Sequence, residues 1–173
     1  MKRTILVSSV VALVLALSLV AAYAKANFTG TWLLDKSHSE GLQPDTKDQT
    51  LTVVQTNDKI SDRINIDTTI VRDSGEVKQS DVYILSGKEV EFKPQAIMGI
   101  EGKGKRTAQW AADGNSFDVK EEDIYDAPQG PVAVTITRKW TISADGKGLV
   151  IDLNIDSPQG AVKLKRAFTK KIA

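Results

Sequence analysis

The chain has no cysteine and a single histidine. Without cysteine there is no disulfide, no thiolate metal site and no lipid attached at a processed cysteine, so the fold must hold itself together by burial. One histidine cannot build a multi-histidine metal site or a histidine-based triad, and His38 lies in a polar stretch that reads as surface. Long runs of one charge sign are also missing. Lysine and arginine number 23 against 22 aspartate and glutamate, an even mixture that excludes a nucleic-acid-binding surface as the organising feature. The densest basic group, Lys163, Lys165, Lys170 and Lys171, reads as solvated. Beyond residue 24 no segment has a convincing helical period, although residues 37–47 leave room for a short helix.

One long apolar run is present, and it stands at the start. Lys2 and Arg3 precede an apolar stretch over residues 5–22, which ends in the small-residue exit Ala22-Tyr23-Ala24. That pattern is a secretory signal peptide over residues 1–24, cut before Lys25. The expectation is an exported protein, periplasmic or extracellular, with no stable membrane insertion after cleavage. Residues 25–173 then form one domain, and about 150 residues suffice for one hydrophobic core.

The first stretch of that domain is Asn27-Phe28-Thr29-Gly30-Thr31-Trp32. Phe28, Gly30 and Trp32 fall on one face at period two, and a glycine inside a strand marks a close approach by another segment. Further strands follow at short intervals. Residues 50–56 and 60–70 flank the Asn57-Asp58 turn, with Ile60, Ile64, Ile66 and Ile70 sharing a parity. Asp62 shares it too, which places it near a strand end or bulge. Residues 77–85 read as a strand with Val82 and Ile84 inward. Residues 94–105 hold three glycines and Pro94 around Ile97, Met98 and Ile100; they form either a flap over a pocket mouth or a loop that tucks Ile97 and Ile100 into the core. On residues 116–124, Phe117, Val119, Glu121 and Asp123 share a face. The Glu121-Glu122-Asp123 cluster has the chemistry of a carboxylate pair or a hard-cation site, but no second acidic cluster accompanies it.

Two arginines break the pattern of the C-terminal third. Val132, Val134, Ile136, Arg138, Trp140 and Ile142 share one parity, and so do Val162, Leu164, Arg166 and Phe168. Both guanidiniums therefore face the interior, where an unpartnered charge costs several kcal/mol. One reading gives them an anionic ligand head, which the planar fork of arginine binds through paired charge-assisted hydrogen bonds. The other pairs Arg138 with Glu121 and stacks Arg166 on Trp32.

These residues resemble the calycin superfamily of lipocalins and fatty-acid-binding proteins. Gly30-Thr31-Trp32 is similar to its Gly-x-Trp on the first strand, and Arg166 to the basic residue of its last strand. Arg166-Ala167-Phe168 resembles the Arg-x-Tyr that holds the ligand carboxylate in fatty-acid-binding proteins, with Phe168 lacking the hydroxyl. Phe28 to Ser37 and Arg138 to Lys147 also resemble small exported bacterial lipocalin-like proteins. The resemblance implies an all-β, lipocalin-like fold, an antiparallel up-and-down β-barrel of about 8–10 strands whose first strand pairs with its last. It implies non-covalent binding or transport of a small hydrophobic or amphipathic ligand in the interior. Arg138 and Arg166 are then the candidate anchors, and Trp110, Trp140 and Phe168 the lining. No catalytic residue, cofactor or metal is expected. The alternative is a filled barrel that acts as an interaction or inhibitor module, and a lipocalin-like enzyme is a more distant one.

Overall fold

A computed structural model describes residues 25–57 and 61–172. The expected signal peptide, Asp58 of the first expected turn, and Ile60 lie outside the described residues. Ten strands follow in order: β1 (Gly30–Glu40), β2 (Thr46–Asn57), β3 (Asp62–Arg72), β4 (Gly75–Ile84), β5 (Glu89–Phe92), β6 (Gly102–Trp110), β7 (Ser116–Ala127), β8 (Gly130–Ile142), β9 (Gly148–Ser157) and β10 (Gly160–Lys170). They form one antiparallel sheet in the order β4-β3-β2-β1-β10-β9-β8-β7-β6-β5. The all-β, up-and-down architecture is the one expected. β1 pairs with β10, with Trp32 opposite Lys170 and Leu34 opposite Phe168.

That pairing lies in the middle of the sheet, which leaves β4 and β5 as the two edges. The sheet curls until β4 and the turn after it approach β6. The seam carries a backbone bond from Gly87 N to Ala108 O at 2.9 Å, and above it the side chain of Arg106 reaches across to β4.

Alternation along each strand builds the core. On β7, Phe117, Val119, Glu121, Asp123 and Tyr125 are buried while the residues between them are exposed. Trp32 is fully buried and donates its indole N–H to Phe28 O at 3.0 Å. Phe117 stacks on Trp140 with centroids 5.4 Å apart and meets the edge of Phe28 at 4.9 Å. These rings fill one end of the barrel, each contributing about 2–3 kcal/mol through burial.

Gly30 is where β10 comes close. A Cβ there would sit 2.6 Å from Lys170 Cε, and Lys170 Nζ lies 5.1 Å from the centre of the Trp32 ring. The cation over Trp32 is therefore Lys170 rather than Arg166, because Lys170 is the residue directly opposite Trp32 in the ladder.

Three other expectations need correcting. β4 has the opposite parity: Tyr83 and Leu85 are buried, and Val82 is 42% exposed. Both parities of this strand carry apolar residues, and the aromatic core, with Phe117 and Trp140 about 6 Å from Tyr83, decides between them. Of residues 94–105, the last four belong to β6, and the apolar tip of the rest is not buried. Ile97 and Ile100 exchange both backbone hydrogen bonds around a tight turn at Met98 and Gly99, which leaves Met98 97% exposed and Ile97 47% exposed. Finally, β1 runs on to Glu40, so His38 stands on a strand rather than in a loop or short helix; it is exposed and bonds the Asp35 carboxylate at 2.7 Å.

Candidate functional site

Above the aromatic floor the interior becomes charged. Glu121 on β7 is 2% exposed and holds two arginines at once. Its Oε1 accepts from Arg106 Nε at 2.6 Å, and its Oε2 accepts from Arg138 Nη1. Of the two readings of Arg138, the pairing with Glu121 is present. It follows from the register, which puts Val119 opposite Arg138 and so sets Glu121 one inward position along β7.

Sequence reasoning missed Arg106. Its inward neighbours on β6 are Gly104 and Ala108, which give little apolar signal. All three nitrogens of its guanidinium are hydrogen-bonded. Nε goes to Glu121, Nη1 to Val82 O at 3.1 Å and Nη2 to Asp81 at 3.0 Å. Its faces lie 4.7 Å from the Tyr83 ring centre and 4.0 Å from that of Phe92. A cation bonded through all three nitrogens in this way clamps the seam between β4 and β6.

Arg138 is different. Nη1 bonds Glu121, and the side chain keeps 20% of its exposure. It borders a cavity of about 240 Å³ whose apolar wall includes Leu51, Ile66, Ile70, Ile151 and Leu153. The charged residues around this cavity are Arg72, Asp81, Arg138 and Arg166, and Asp81 is already engaged by Arg106. Three cations thus face one committed carboxylate, so the cavity carries an excess of positive charge. Trp140 also lines it, and its buried Nε1 has no hydrogen-bond partner; the same holds for Arg72 Nε.

The remaining candidates fall elsewhere. Arg166 borders the cavity, and its Nη1 bonds Glu40 O at 2.7 Å and its Nη2 bonds Gly41 O at 3.2 Å, at the end of β1 and just beyond it. It anchors the β1–β2 connection, whose Leu42 and Gln43 also line the cavity. Phe168 belongs to the hydrophobic core and is absent from the cavity wall. Trp110 stands at the opposite end, donating to Asp62 Oδ2 at 2.6 Å, where Lys25 also bonds the carboxylate. Asp62 is the first residue of β3, so its inward parity is met at a strand end, as expected.

Asp123 is the second buried acid of β7, and its Oδ1 has no partner. Burial, with the neighbouring Glu121 charge, pushes its pKa up to about 6. Tyr83 is likewise pushed up to about 12 by burial. Among the described residues no group of three His, Asp or Glu is placed to hold a metal ion, and no helix is long and apolar enough to cross a membrane.

A larger depression of about 740 Å³ lies on the outer face, lined mainly by outward side chains of β6 to β10. Across it Asp118, Lys139, Asp152, Lys165 and Glu40 stand in register on five successive strands. Opposite charges facing each other in this way stabilise the ladder.

No family model matches the chain, and no curated protein matches it. Among solved structures the chain is similar to zebrafish ileal bile acid-binding protein complexed with cholic acid, at 19% identity and a TM-score of 0.47, over 83% of this chain and 98% of that one.

Proposed function

We propose that this chain is an exported β-barrel that binds a small amphipathic molecule non-covalently, with an anionic head at Arg138 and an apolar tail along Leu51, Ile66 and Ile70. The observation that carries the reading is the unused part of the Arg138 guanidinium beside a cavity with three arginines and one committed carboxylate. A carboxylate or sulfonate there gains charge-assisted hydrogen bonds in a partly dehydrated setting. The cavity is smaller than the roughly 300–1,000 Å³ usual for drug-sized ligands, which favours a short tail or one that projects through the mouth. The aromatic floor of Phe117, Tyr83 and Trp140 limits its depth. Export rests on the leader-like residues 1–24. Nothing in the reading requires a bond to be made or broken, so we place the chain among carriers rather than enzymes.

Native mass spectrometry of the protein purified from its own host tests this. The expected result is a co-purified small acid that Arg138→Met releases, together with octanoate binding that weakens roughly tenfold to a hundredfold in the variant. A protein that carries nothing and binds neither octanoate nor octanol contradicts it.

A further inference from the structure

We infer that anion binding in the interior cavity is coupled to uptake of one proton by Asp123. The inference rests on reading the cavity as an anion site. Asp123 lies two residues beyond Glu121 on the inner row of β7 and is 2% exposed, with Oδ1 buried and unpartnered. It packs against Gly104 of β6, where any Cβ would collide with that oxygen.

The charged and titratable groups facing it are Arg106 from β6, Glu121 and Tyr125 from β7, and Arg138 from β8. Asp81 of β4 stands behind Arg106. β5 contributes the apolar ring of Phe92, and the residue opposite Asp123 on β8 is Val134. Both arginines are hydrogen-bonded to other carboxylates, so ionised Asp123 has their charge nearby without a hydrogen bond from either. A buried carboxyl in that position is close to balance between its two forms; burial and Glu121 hold its pKa near 6.

Arg138 links the two events. Its positive charge favours ionised Asp123, and it is also the cation offered to the ligand. An anion at Arg138 offsets that charge. The Asp123 carboxylate then takes a proton from solvent and becomes neutral, which keeps the charge of the network unchanged. By linkage, acidification must tighten anion binding.

The test uses 1-octanesulfonate, whose head stays ionised at all relevant pH, titrated calorimetrically at pH 5 to 8 in buffers of different ionisation enthalpy. Wild-type protein is expected to take up a fraction of a proton per ligand near pH 7 and to bind several-fold more tightly at pH 5 than at pH 8, about tenfold for each unit by which the anion raises the Asp123 pKa. Asp123→Asn, which resembles the protonated form, is expected to bind with little pH dependence and no proton uptake. His38 is present in both proteins, so the difference belongs to Asp123. Equal proton uptake in both forms, or binding that does not vary with pH in the wild type, overturns the coupling and leaves the anion site standing. No octanesulfonate binding at any pH overturns both.

Discussion

Glu121 and Arg138 form a buried ion pair across β7 and β8, and the second oxygen of the same carboxylate holds Arg106 at 2.6 Å. One acid therefore serves two arginines with different tasks. Arg106 closes the seam, while Arg138 is only partly used and borders the cavity.

Removing the shared acid should be far more damaging than removing Arg138. Glu121→Gln leaves two buried cations short of a partner and is expected to cost about 3–5 kcal/mol. Arg138→Met leaves Glu121 paired with Arg106 and should cost clearly less. Urea unfolding of the two variants checks this, and equal losses would argue against the shared network.

Arg106 should matter most at the sheet edge. Arg106→Met removes the bonds to Asp81 and Val82 O, so hydrogen exchange should accelerate along β4 while β9, in the middle of the sheet, keeps its protection. Exchange that rises equally in both strands would mean that the residue supports the core at large and not the seam.

Asp123 sets a pH dependence of stability with a definite sign. Its pKa is 3.8 as a free side chain and about 6 in the fold. Above pH 6 both states are ionised and the fold carries the full cost of a buried carboxylate. Between about 6 and 4 the folded state binds a proton that the unfolded state lacks, so stability rises as pH falls; below about 4 it levels off. Roughly two units correspond to about 3 kcal/mol as an upper figure. Asp123→Asn should be more stable than wild type at pH 7, with the difference shrinking toward pH 4 in urea titrations across that range.

Gly30 has a φ of +152° beneath the Lys170 side chain. Gly30→Ala should cost about 1–3 kcal/mol, mainly from the backbone, because the lysine terminus can move aside. Thermal unfolding of Gly30→Ala with and without Lys170→Ala separates the two contributions; full rescue by the second change would show that crowding, not φ, was the cause.

Much of the fold could be read where one parity was apolar throughout. β8 and β10 announced inward Arg138 and Arg166 because valine, isoleucine, leucine and aromatic residues surrounded them. The parity of β4 was not legible, since Val82 and Ile84 on one face compete with Tyr83 and Leu85 on the other, and only the aromatic partners across the barrel choose between them. Arg106 was hidden between glycine and alanine, whose small size admits Phe92 and Asp123 side chains at Gly104. The Glu121 and Asp123 row was visible, but its meaning depends on two arginines from neighbouring strands. Lys170 displaced Arg166 as the cation over Trp32 because the ladder register, which the sequence alone does not number, puts it opposite.

The most direct measurement follows the three indole N–H signals by ¹⁵N NMR during an octanoate titration. Trp32 donates to Phe28 O and Trp110 to Asp62, both away from the cavity, whereas Trp140 lines it with no acceptor. The Trp140 signal, assigned with Trp140→Phe, should shift in a saturable way that Arg138→Met weakens, while the other two stay in place. A Trp140 signal unmoved at millimolar octanoate would contradict an anion-binding interior.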